Sequence, residues 1–178
     1  MLSIDRERLL ARFLRYVSVD TTAGESPEGN RPSSPGQIEL GRILRDELLA
    51  LGLKNAEQDE HGIVMATIPA TIPGTLPVVC LNSHVDTSPE TTGANVKPQV
   101  IREYAGGDIT LPGDTSKIIR THDNPELDAL HGRTLITSDG TTLLGGDDKA
   151  GLAIIMETTA TLLENPSIPH GPIRVMFT

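Results

Sequence analysis

The stretch Val79-Cys80-Leu81-Asn82-Ser83-His84-Val85-Asp86-Thr87 constrains this chain most. It is an apolar run that ends in a His and an Asp two residues apart. Side chains of an extended segment alternate between faces with a period of two. His84 and Asp86 are therefore predicted to point the same way at the end of a buried strand, residues 78–82. A neutral imidazole binds a metal through one nitrogen, and a neighbouring carboxylate fixes the tautomer or handles a proton. Cys80 lies inside the run and reads as a small buried hydrophobe.

A chain of 178 residues is long enough for one domain with a real core. That core must be aliphatic, because there are only two Tyr, two Phe and no Trp. The net charge of −9, without a basic cluster, argues against nucleic acid and anionic membrane surfaces as partners. A single cysteine excludes an intrachain disulfide and favours a reducing compartment. The segment from Met1 to Arg8 is charged early and lacks the apolar core of a signal peptide. No apolar run approaches the ~20 residues of a membrane helix. A cytoplasmic location is expected.

Leu9, Leu10, Phe13, Leu14 and Val17 recur at helical spacing, with Ser3 as the expected N-cap. Residues 20–33 read as a polar loop. Ser34-Pro35-Gly36-Gln37 then resembles a capping box with Pro at the first helical position. Ile38, Ile43, Leu44, Leu48 and Leu51 continue that second helix, and Gly52 stops it. Two strands are predicted over 54–59 and 63–68, joined by a turn at His61-Gly62. A proline-rich connector, 70–77, leads to the strand before His84. Residues 88–128 are rich in turn signals, with short strands expected near 100–104. Ser138-Asp139-Gly140 between β-prone runs predicts a hairpin of 134–137 with 141–144. A helix follows from Gly145 through Leu163, ended by Asn165-Pro166, and then a buried strand over 173–177. Alternating helices and apolar strands predict an α/β fold, with helices packed on a mostly parallel or mixed sheet.

Two clusters carry chemistry. His84-Val85-Asp86 suits a metal, or an ordinary hydrogen bond at a solvated strand end. Gly146-Asp147-Asp148-Lys149 opens the third helix. It is not a phosphate-binding loop, because no Gly-Lys-Ser/Thr follows and two carboxylates repel a phosphate. The pair suits a cation, or plain capping by Asp147 with Asp148 in the first turn. Taken together, at the ends of predicted strands where ligands converge in such sheets, the clusters point to zinc, with manganese or cobalt as alternatives. Two ligands do not complete a site, since a catalytic zinc usually has three protein ligands plus water. His61, His122, His131 and His170 lie in turns and polar connectors and are weaker candidates.

Ser83-His84-Val85-Asp86-Thr87 followed by Asp147-Asp148-Lys149 resembles the two N-terminal signatures of the M20 metallopeptidases, and within them the tripeptide aminopeptidases. Residues 13–18, 104–109, 134–151 and 168–175 are similar as well, so the resemblance spans essentially the whole chain. It implies a zinc-peptidase-like catalytic domain with a co-catalytic site of two Zn2+. His84 would bind one zinc, Asp147 would bridge both, and Asp86 would be the catalytic Asp that orients and polarises His84. Asp148 and Lys149 receive no ligand role. The implied activity is release of the N-terminal residue of a tripeptide by zinc-activated water, in a homodimer.

In that family a Glu-Glu pair follows the strand matching 173–177, supplying the general base and a zinc ligand. A later Asp, a distant His and a lid domain used in dimerisation come further on. None of these lies within residues 1–178. The chain is thus expected to be the N-terminal part of the catalytic domain, inactive alone and exposing an apolar part of its sheet. The shared signatures leave open another M20 hydrolase, a dipeptidase or an acyl-amino-acid deacylase. The residues taken alone also leave open a non-catalytic α/β module in which His84 and Asp147 are structural.

Overall fold

A computed structural model of the chain describes residues 4–24 and 31–178. Helix α1 (Arg6–Val17) is amphipathic, as its spacing predicts, and buries Phe13, Tyr16 and Val17. Its N-cap is Asp5, which accepts from the Arg8 amide at 2.9 Å; Ser3, the predicted cap, lies outside the described residues. Helix α2 (Pro35–Ala50) starts on Pro35, but Ser34 makes no side-chain capping bond. Gln37 reaches back one residue further instead. Its Oε1 accepts from Ser33 N at 3.0 Å and its Nε2 donates to Ser33 Oγ at 3.0 Å. The predicted capping box does not form; Gln37 instead pairs with Ser33 through its side-chain amide. Gly52, at φ +96°, turns the chain away after the helix, in the left-handed region that glycine adopts freely.

The main sheet has the order β1-β2-β8-β3, from β1 (Glu57–Gln58), β2 (Val64–Ile68), β3 (Val79–Ser83) and β8 (Ile173–Phe177). It is mixed. β1/β2 and β2/β8 are antiparallel, and only β3/β8 is parallel. Between β3 and β8 lie two small antiparallel pairs, β4 (Gln99–Ile101) with β7 (Leu135–Thr137) and β5 (Ile109–Thr110) with β6 (Ile118–Ile119). A short 3-10 helix, Pro125–Leu130, precedes β7, and helix α3 (Gly146–Glu164) precedes β8. Among the described residues no helix is long and apolar enough to cross a membrane.

One face of the sheet meets the helices. Val64, Ala66 and Ile68 of β2 lie in register with Phe177, Val175 and Ile173 of β8, and the first five of these join one core with Tyr16, Leu40, Leu44, Leu48, Leu152 and Met156. The period of two then decides the fate of β3. Leu81 and Ser83 pair with Val175 and Phe177 on the helix side, whereas Cys80 and Asn82 pair with Arg174 and Met176 on the other. Cys80 is exposed, not a buried hydrophobe. Nor is β3 a buried strand: among the described residues it lies at the edge of the sheet, with Val79 55% exposed.

The predicted hairpin at Asp139-Gly140 does not form. The Asp139 carboxylate accepts from Thr141 N at 2.9 Å and Thr141 Oγ1 at 2.6 Å, a local turn that satisfies the backbone without a partner strand. Leu143 N donates to Thr92 O at 3.1 Å, and β7 pairs with β4 instead. The predicted first strand of 54–59 shrinks to the two residues of β1.

The helices are pinned to each other by charge. Glu157 of α3, 3% exposed, accepts from Arg8 at 2.8 Å and also pairs with Arg12. Glu47 of α2 pairs with Arg12 at 3.4 Å and accepts from the Tyr16 hydroxyl at 2.8 Å. Burial pushes the Tyr16 phenol far above its ordinary range, reinforced by the Glu47 carboxylate.

Candidate metal centre

The parallel register of β3 and β8 continues one step past both strands. Thr178 N donates to Ser83 O at 3.1 Å and Val85 N donates to Thr178 O at 2.7 Å. Val85 is thereby buried, and His84 and Asp86 on either side of it turn together towards the open end of the sheet. The next residue is held by the segment leaving α1. Thr87 N donates to Thr21 O at 3.1 Å, and Ala23 N donates to Thr87 O at 2.9 Å.

Asp147 arrives from the other side. Gly145, at φ +76°, caps α3, and Asp147 and Asp148 have non-helical backbone angles, so the regular helix starts at Lys149. The predicted strand directly before Gly145 is absent, and a loop over 138–145 delivers the turn. Asp148 faces inward, its carboxylate accepting from Gly151 N at 3.1 Å and its carbonyl accepting from the Ser83 hydroxyl at 2.9 Å. Asp147 is left 95% exposed.

His84 joins the two halves. Its Nδ1 lies 3.0 Å from both Asp86 Oδ1 and the Asp86 carbonyl, and its Nε2 lies 3.1 Å from Asp147 Oδ1. A neutral imidazole carries one N–H. With that proton on Nδ1, donated to Asp86, Nε2 presents a lone pair to a carboxylate oxygen. The contact is favourable only when a proton or a metal cation lies between them. Burial pulls the His84 pKa down, but the Asp147 hydrogen bond and the Asp86 charge outweigh it, and the net shift is upward.

The donor chemistry fits one edge of a zinc sphere. Nitrogen and oxygen ligands at 2.0–2.2 Å on a tetrahedral zinc are roughly 3.3 Å apart, close to the 3.1 Å separation of Nε2 and Oδ1. Among the described residues no cluster of three or more His, Cys, Asp or Glu side chains is arranged to hold a metal ion. The described residues bring together two donors and the carboxylate that orients one of them.

The other histidines are dispersed. His131 packs against the Tyr104 ring, with centroids 5.9 Å apart. His170 Nδ1 donates to Gly171 O at 2.7 Å. His122 is exposed. His61, in the β1–β2 turn, shares with Asp86 and Gln37 the wall of a cavity of about 1000 Å³. Sequence reasoning gave no role to Ser83 or Lys149, yet both tie the start of α3 to its surroundings. Lys149 is buried, and its Nζ donates to Val19 O at 2.7 Å. Burial lowers its pKa to about 8, with the Asp20 charge opposing.

No protein-family model matches the chain. It is 49% identical to a peptidase T from Geobacillus thermodenitrificans over 174 residues, 97% of this chain. The chain is similar to peptidase T. It spans 42% of the length of that relative and of a second peptidase T, from Halothermothrix orenii, to which it is 46% identical. Two solved structures agree. The aminopeptidase PepT from Bacillus cereus superposes with a TM-score of 0.63 at 29% identity, covering 98% of this chain and 36% of that one. A tripeptidase from Staphylococcus aureus gives 0.63 at 31%, with the same coverage. The similarity to peptidase T bears out the resemblance drawn from the His84 and Asp147 signatures, and extends it to the mixed α/β fold.

Proposed function

We propose that the chain carries the first metal-binding half of a cytoplasmic, homodimeric aminopeptidase that releases the N-terminal residue of tripeptides. The observation that carries this reading is the His84 ring, held between Asp86 at Nδ1 and Asp147 at Nε2, in a chain 49% identical to a peptidase T over nearly its whole length. His84 and Asp147 are the residues that would hold Zn2+. When bound, a pair of divalent ions supplies Lewis-acid polarisation of the scissile carbonyl and an acidified water.

The chain's own part is to prepare those ligands. Asp86 accepts the Nδ1 proton, which fixes the tautomer, leaves Nε2 free as a donor and raises its basicity. Asp147, nearly fully exposed, offers one oxygen beside Nε2 and leaves the other available to a second cation, the arrangement a bridging carboxylate requires. The buried Val85 between His84 and Asp86 keeps both side chains on the open side.

Zinc titration of the chain by calorimetry tests the reading. His84→Ala and Asp147→Ala are expected to abolish binding, and Asp86→Ala to weaken it about 10- to 100-fold. Unchanged affinity in both ligand variants would remove the site assignment. In the whole protein, tripeptide hydrolysis is expected to be lost in the same two variants.

A further inference from the structure

Asp147 has no side-chain partner other than His84 among the described residues, and it sits in a turn that is not yet helical. Something else must fix its place. Two ties flank it. Ser83 Oγ donates to the carbonyl of Asp148 at 2.9 Å, linking the turn to the end of β3. One residue on, Lys149 Nζ donates to Val19 O at 2.7 Å. Lys149 is 2% exposed, and among the described residues that carbonyl is the only hydrogen-bond partner of its ammonium. A buried ammonium with no ion pair within hydrogen-bond reach is costly to keep. A methionine would fill the same space without that cost.

The position of Val19 explains what the lysine accomplishes. Val19 leads into Thr21–Ala23, which brackets Thr87 through two backbone hydrogen bonds. Thr87 is bonded to Asp86, and Asp86 holds His84 Nδ1. The contacts close a ring: Asp147, Lys149, Val19, Thr21, Thr87, Asp86, His84 and back to Asp147. Lys149 ties the α3 half of this ring to the Val19 segment that backs Thr87, as Ser83 ties it to the end of β3.

We propose that Lys149 is a positioning residue, the strut that keeps Asp147 at Nε2 of His84 while Asp86 stays at Nδ1. The proposal rests on reading His84 and Asp147 as metal ligands, and its test separates the two ideas. Nuclear Overhauser contacts from the His84 ring protons to the β protons of Asp86 and Asp147 are measured on the metal-free chain, followed by titration with Zn2+ alone. Both contacts are expected in the unsubstituted chain. In Lys149→Met the Asp86 contact is expected to remain, the Asp147 contact to disappear and zinc affinity to fall about 10-fold. A folded Lys149→Met chain that keeps the Asp147 contact and full zinc affinity overturns the positioning role. Lys149→Arg, which retains a donor for Val19, serves where the methionine variant does not fold: it is expected to keep both contacts, and their loss in a folded chain also overturns the role. Zinc that leaves the His84 resonances of the unsubstituted chain unmoved overturns the metal reading instead.

Discussion

Two of the four acidic residues of helix α3 have opposite surroundings. Past the middle of the helix Glu157 is 3% exposed and enclosed by Arg8 and Arg12. At its start Asp147 is 95% exposed and faces a single imidazole nitrogen. Both are carboxylates beside a nitrogen, but only Glu157 is enclosed by charged protein donors. Glu157 receives N–H donors from two guanidinium groups, which supply both charge and hydrogen bonds. Asp147 receives a protein donor only where His84 carries a proton on Nε2, and water otherwise solvates it. A carboxylate with its donors in place holds a structure together. An exposed carboxylate beside an imidazole nitrogen stays open to a cation, and that separates a candidate ligand from a brace.

The matched pair of alanine substitutions probes this contrast most strongly. Glu157→Ala leaves Arg8 with only Glu164 and the mostly buried Arg12 with only Glu47, and is expected to cost about 3 kcal/mol in chemical denaturation. Asp147→Ala, on the same helix, is expected to leave the metal-free chain's stability essentially unchanged. A large loss from Asp147→Ala would erase the distinction. An intermediate effect comes from Gly36, in the first turn of α2. A Cβ there would fall on the Asp20 carbonyl oxygen. Gly36→Ala is expected to cost about 1–3 kcal/mol, measured by thermal melting, as the loop backing Thr87 is pushed aside.

The smallest expected effect is on pH dependence. The His84 pKa is raised in the folded chain, so the stabilisation from its two carboxylates is fully present below about 6.5, the ordinary value, and is lost as the pH rises through the higher folded value. The urea midpoint of the metal-free chain is expected to fall slightly between about pH 5.5 and pH 7.5. Asp147→Asn should flatten part of that slope. An unaltered slope in His84→Ala would show that the ring makes no contribution.

Much of the site was legible in the sequence. The alternation of an extended chain put His84 and Asp86 on one side, and the Gly145-Gly146 turn placed the acidic pair at a helix start. The first two helices followed from apolar spacing and the third from its Gly-rich opening and Asn-Pro stop, with ends correct to within a few residues. The failures share a cause. Cys80 and Val79 look like core residues in sequence, and only the strand order places them at an edge. The hairpin at Asp139 failed because β7 found its partner 36 residues upstream, in β4. Local turn chemistry does not register that competition.

By itself, then, the sequence determined the helices, the residue types of the site and the face that His84 and Asp86 share, because these depend on neighbours within a few positions. The tertiary structure alone decided that Nε2 of His84 meets Asp147 across 63 positions, that Lys149 ends on Val19 across 130, and that β3 lies at an edge. Those outcomes depend on which segments pack together, and packing is settled by the whole aliphatic core rather than by any one stretch of it.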